Sequence, residues 1–172
     1  VGGDNADVHA ALGRAYFALK EFQPAIEHLR RASAMNPRAA AVLVDLGNAL
    51  AAARRYKEAI ASYEAALKIE PNAAEYWTNL AGAHCDARNP DQGLRAIHCA
   101  LHLKPGLAQA WTVKADLLVA HGRPAEAIVW YRKYLERHPD DVPTLLNLAN
   151  AQREANEPQA GIATLQKVLD RD

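Results

Sequence analysis

The stretch Asp45–Pro71, DLGNALAAARRYKEAIASYEAALKIEP, decides the fold, because its skeleton recurs before and after it. Pro37, Pro71, Pro105 and Pro139 fall 34 residues apart, and Pro90, Pro124 and Pro158 keep the same interval. A constant period of about 20–50 residues marks stacked supersecondary units rather than one globular core. Leu46 and Leu50, then Ile60, Tyr63 and Leu67, recur at helical spacing on either side of Arg54 and Arg55. The closing proline lacks an N–H and turns the residue before it away from helical backbone. Each unit therefore reads helix, tight turn, helix, stop.

Five such units fill the chain, at about 6–39, 40–73, 74–107, 108–141 and 142–172, the last cut before a closing proline. Leu12, Tyr16 and Leu19 are the expected core of the first helix, with Ile26 and Leu29 in the second. Trp77 and Trp111 take the matching core places later, Tyr131 is core, and Trp130 beside it faces outward. Pro24 is read as the start of a helix, and Asp4 or Asn5, Asn72 and Asp140 as N-terminal caps. Gly13, Gly47, Ala81, Ala115 and Ala149 recur in the first helices, and Ala25, Ala59, Gly93, Ala127 and Gly161 in the second. Small residues at equivalent places let two antiparallel helices approach closely. The fold class is all-α, a right-handed α-solenoid of antiparallel helix pairs.

Leu46, Gly47, Ala59, Tyr63, Ala66 and Pro71, and likewise Leu12, Gly13, Tyr16, Ala25, Ala32 and Pro37, resemble the tetratricopeptide repeat signature. The resemblance covers almost the whole chain. Its departures lie late: Lys114 stands for the usual leucine, and Tyr134 and Val168 for a small alanine.

Composition narrows the rest. The chain is half hydrophobic with formal net charge 0, which excludes a disordered polymer and argues against nucleic acid as a partner. No apolar run reaches the roughly 18–20 residues that span a bilayer. The chain starts without methionine or a leader and stops inside a repeat, so we expect a piece of a longer polypeptide. Two cysteines form no disulfide framework and suit a reducing, cytoplasmic setting.

Catalytic patterns are absent: no Gly-rich phosphate loop, H-E-x-x-H, C-x-x-C or G-x-S-x-G occurs. His84, Cys85, His98, Cys99 and His102 cluster in the third repeat, and His98 and His102 stand four residues apart on a helix. His84, however, holds the place of Tyr16 and Leu50 and is expected between helices, and Cys99 reads as a small buried hydrophobe. No metal or cofactor is expected.

The resemblance implies that the first helix of each pair lines a concave groove. It places Arg14, Asp45, Asn48, Asn79, Asp116, Asn147 and Asn150 there, together with Ala10, Val44, Thr78 and Asp86. Asp45, Asn79 and Asn147 form one row at multiples of 34, and Asn48, Asp116 and Asn150 a second. Side-chain amides both donate to and accept from an extended peptide backbone. The rows are similar to the asparagine ladder of O-linked N-acetylglucosamine transferases. Groove acids (Asp7, Asp45, Glu75, Asp86, Asp116, Glu154) outnumber Arg14 and Arg153, while second helices carry many lysines and arginines. This predicts an acidic inside suited to a ligand with positive charge. The carboxylate clamp of chaperone-binding relatives is not expected, since its cationic places hold Val44, Gln109 and Val113.

The chain thus reads as an interaction scaffold holding a protein or peptide partner segment. The alternatives are the substrate-recognition array of a larger glycosyltransferase and a self-assembling scaffold joined through Ile162, Leu165 and Leu169 of the final helix.

Overall fold

The computed structural model describes residues 5–169. Ten helices occur among them: α1 (Ala6–Ala18), α2 (Phe22–Met35), α3 (Ala40–Ala52), α4 (Tyr56–Ile69), α5 (Ala74–Asp86), α6 (Pro90–Leu103), α7 (Ala108–Ala120), α8 (Pro124–Leu135), α9 (Val142–Glu154) and α10 (Pro158–Leu169). Consecutive helices pack as pairs, and each pair docks on the next. The backbones of first helices come close to those of neighbouring first helices, whereas second helices lie farther apart among the described residues, α2 and α4 meeting only through the long side chains of Arg30 and Glu58 at 2.7 Å. The inner row is the closer-spaced row, so the stack curves with the first helices on its concave side.

One turn serves all five pairs. Lys20, Arg54, Arg88, Gly122 and Asn156 each adopt positive φ, near 60–76°, at intervals of 34. The following N–H reaches back five residues in every case: Glu21 to Tyr16, Arg55 to Leu50, Asn89 to His84, Arg123 to Leu118 and Glu157 to Gln152. This left-handed cap satisfies carbonyls that a helix end leaves bare. Only Gly122 and Asn156 are residues that favour it.

The ten small residues are all buried at the helix crossings. A Cβ on Gly47 would sit 2.5 Å from the Tyr63 ring, and one on Gly93 would sit 2.2 Å from Leu117 Cδ2. The glycines are required by contact, not by φ.

Several expectations are corrected. Leu12 is 39% exposed where its counterpart Leu46 is 7% exposed, and Leu19 is exposed too, because no described helix covers the outer flank of α1. Pro24 does lie in the first turn of α2, at its third position. Asn5 caps α1 by accepting from the Asp7 N–H at 2.8 Å; Asp4 lies outside the described residues. Ala73, not Asn72, precedes α5 and offers no side-chain cap, and Asp141, not Asp140, caps α9. Cys99 is only half-buried. Trp111 is buried as expected, while Trp77 is partly buried and packs against the core.

Repeat 4 departs in packing as in sequence. Ala32, Ala66 and Ala100 are fully buried, leaving no room for a ring, and at the same place Tyr134 turns onto His138, with centroids 4.6 Å apart. There α8 stops after 12 residues, against 14 for α2, α4 and α6.

Candidate functional site

All seven groove residues expected from the sequence lie on first helices. Six of them gather in two hollows. One, of about 230 Å³, is lined by Arg14, Phe17, Leu29, Asp45 and Asn48. The other, of about 380 Å³, is lined by Asp116, Tyr131, Asn147, Asn150, Arg153 and Glu154 among others. Asn79, half-buried on α5, stands between them and belongs to neither.

Neighbouring first helices meet in a register 31 residues apart, one turn short of a repeat. Arg14 Nη1 reaches Asp45 Oδ2 at 3.3 Å, and Asn147 Nδ2 donates to Asp116 Oδ1 at 3.3 Å in that register. Second helices reach in from behind. The Tyr63 hydroxyl donates to Asn48 Oδ1 at 2.7 Å, and the Tyr131 hydroxyl donates to Asp116 Oδ1. Asn48 thereby keeps its NH₂ for the groove, and Asn147, whose NH₂ is engaged, keeps its carbonyl. Asn79 and Asn150 make no side-chain hydrogen bond to a described residue. One end of the groove thus offers a donor and the other an acceptor, which an extended backbone can meet at both.

Three expected groove residues face the core instead. Ala10 and Val44 are buried, and Thr78 is 1% exposed with its hydroxyl donating to the Ala74 carbonyl at 2.9 Å.

The acidic lining is also smaller than its residue count. Asp45 is paired with Arg14, Glu75 with Lys104 at 2.7 Å and Glu154 with Arg153 at 3.6 Å. Asp7, Asp86 and Asp116 remain without a cation in contact among the described residues. Burial pushes the Asp86 and Asp116 carboxyls above the ordinary aspartate value. The Tyr131 bond opposes the shift of Asp116, whereas the charge of Asp86 adds to it. Cys85 lies within the same field: burial first, then Asp116 and Asp86, pushes its thiol up to about 11. Tyr63 is raised by burial and then by Asp86, and Tyr131 by burial and then by Asp116, so both phenols stay protonated donors. Sequence reading placed these two tyrosines in the core and missed their inward hydroxyls. The signal was present: Asn48 with Tyr63 and Asp116 with Tyr131 are both 15 apart, while Gly82 and Ile97 hold those two places in repeat 3.

The third-repeat histidines and cysteines divide among different surroundings. His84 is buried, its Nδ1 unpartnered and its ring held below the ordinary histidine value by burial. His98, Cys99 and His102 line a shallow hollow beside Trp77 and Pro71. No group of three or more potential ligands converges among the described residues. No helix among them is long and apolar enough to cross a membrane.

Four family models, each described as "Tetratricopeptide repeat", match residues 10–74, 50–117, 108–151 and 144–172. No curated protein matches the chain by sequence. Among solved structures it is similar to MamA from Desulfovibrio magneticus RS-1, with a TM-score of 0.82 and 15% identity over 99% of this chain and 96% of that one. It is also similar to a tetratricopeptide repeat protein from Parabacteroides merdae, with a TM-score of 0.85 and 14% identity over 96% and 64% of the two chains. A third, YrrB, is described as a TPR protein with an unusual peptide-binding site; it gives a TM-score of 0.70 and 18% identity over 94% and 84%. At such identities the likeness is one of fold.

Proposed function

Because the chain belongs to the tetratricopeptide repeat family, we propose that its concave face is a scaffold surface holding an extended, positively charged segment of a partner protein. The observation that carries this reading is the inner row from Arg14 to Asn150. Its amides present free donors and acceptors in and between two hollows, and Asp86 and Asp116 have no cation in contact among the described residues. Backbone hydrogen bonds supply affinity with little sequence preference, and the two carboxylates select for lysine or arginine.

The test is selection of ten-residue peptides from a random display library on this chain. Selected peptides should be enriched in lysine and arginine. Their affinity should fall about tenfold or more, worth roughly 1.4 kcal/mol, when Asn48, Asn79 and Asn147 are all changed to Ala. A library that yields no enriched peptide, or peptides indifferent to that triple change, would sink the reading.

A second reading, self-association, is carried by the exposed Ile162, Leu165 and Leu169 along α10. Light scattering in which mass stays at one chain as concentration rises would remove it.

A further inference from the structure

A further hollow lies on the outer face, away from the groove, where α8, α9 and α10 meet. It has a volume of about 520 Å³, and its wall includes Leu145, Leu148, Gln152, Ala163, Thr164 and Lys167. The positions 34 residues earlier show what such a space holds when filled. Leu145, Leu148, Thr164 and Lys167 correspond to Trp111, Lys114, Trp130 and Lys133. In repeat 4 those four side chains interleave: Lys114 Nζ stands 4.1 Å from the Trp130 centroid, and Lys133 Nζ 5.2 Å from Trp130 and 4.5 Å from Trp111. Indoles stacked against cations gain from ring electrostatics as well as from burial. Trp111 also donates its Nε1–H to the Pro105 carbonyl at 3.0 Å. Repeat 5 keeps the lysine and loses both rings, and the space stands open.

A second, independent feature lies within the hollow. Gln152 is 3% exposed and lines it. The Thr164 hydroxyl lies 2.8 Å from Gln152 Oε1 and 2.9 Å from the Ala160 carbonyl, and it has one hydrogen to give. Whichever it serves, the other end of the Gln152 carboxamide has no partner among the described residues. That free end opens onto the hollow, where a ligand group can bond it. Arg132 and Lys167 flank the hollow without a carboxylate partner among the described residues, against the single acid Glu136.

We infer that this hollow is a second binding site, which takes an aromatic side chain of a partner protein, with a carboxylate beside it. The ring occupies the space that Trp111 fills one repeat earlier, where repeat 5 has the smaller Leu145. The free Gln152 Nε2–H donates to an acceptor beside the ring, such as a carbonyl oxygen of the bound segment, and Arg132 and Lys167 meet the carboxylate. A volume of this size lies within the range of about 300–1,000 Å³ typical of ligand pockets.

The experiment titrates N-acetyl-L-tryptophan, its amide and N-acetyl-L-alanine into the 172-residue chain, followed by amide NMR. The tryptophan acid should give saturable shifts at Leu145, Gln152, Ala163 and their neighbours, with a dissociation constant on the order of millimolar. The neutral amide should bind several-fold more weakly, and the alanine compound should give no saturable shift. Leu145→Trp, which supplies the ring from within, should weaken binding at least tenfold. Lys167→Glu, an exposed change, should erase the preference for acid over amide if Leu145→Trp fails to fold. Shifts that do not saturate, that map elsewhere, or that survive both changes overturn the inference. Pocket resonances that move on dilution of the protein alone place a second copy there and overturn it as well.

Discussion

Repeats 2 and 4 share the helix–turn–helix plan and differ in chemistry on both faces. Each sends a tyrosine inward, Tyr63 to Asn48 and Tyr131 to Asp116, so the same bond ends on an amide in one and on an acid in the other. On the outer side repeat 2 sets Leu46 against Ser62, whereas repeat 4 sets Lys114 against Trp130. Large and small have changed places: the ring fills the room of the leucine, and the lysine lies over it. At the crossing, repeat 2 has Gly47 and repeat 4 has Ala115; in the turn, Arg54 faces its counterpart Gly122. The comparison shows that the helix pair tolerates exchange of side chains when volume is conserved between partners, and that its polar inner row is set independently of its packing.

The outer exchange gives the largest expected effect. Trp130→Ala should cost about 3 kcal/mol in urea unfolding, while Ser62→Ala should cost less than about 0.5 kcal/mol. Adding Lys114→Leu to Trp130→Ser, which copies repeat 2 into repeat 4, should recover part of the loss. Failure to recover any would deny the compensation.

Next comes the crossing. Gly47→Ala should cost about 2 kcal/mol, since the added methyl meets the Tyr63 ring at 2.5 Å and the ring must move. Ala115 is accommodated at the same place, so the penalty measures Tyr63 rather than the helix. A neutral result by thermal unfolding would mean that the ring yields freely.

The turn follows. Gly122→Ala should cost about 1 kcal/mol because its φ of 76° suits glycine. Arg54→Gly should be neutral to slightly stabilising at the equivalent turn.

The smallest effect is electrostatic. Asp116→Asn, which makes repeat 4 resemble repeat 2 on its inner face, should raise stability at pH 7 by up to about 0.5 kcal/mol. Burial raises the folded carboxyl above 3.8, so the native state holds its proton more readily than the unfolded chain. Wild-type protein therefore gains relative to the variant as pH falls through the raised value, fully so below 3.8. A gap between the two that does not change with pH would contradict the burial of this acid.

The helix pairs, their limits within a few residues and the ten small crossings were legible because each repeats at 34 and each has a local cause. The left-handed turn was legible only at Gly122 and Asn156. Lys20, Arg54 and Arg88 adopt the same φ because the packing of two antiparallel helices on each other dictates the turn between them. The groove was legible as a row of positions but not as a row of free groups. Nothing local in Glu75 tells that Lys104, from the next helix, will neutralise it, or that Thr78 will spend its hydroxyl on Ala74.

By itself the sequence determined the repeat, its helical period and the inner row of polar residues, since all three follow from spacing along one chain. Tertiary structure alone decided which of those polar groups remain unpaired and where a missing tryptophan leaves a hollow. Pairing and empty volume depend on distances between helices, and a sequence carries those distances only through the packing that sets them.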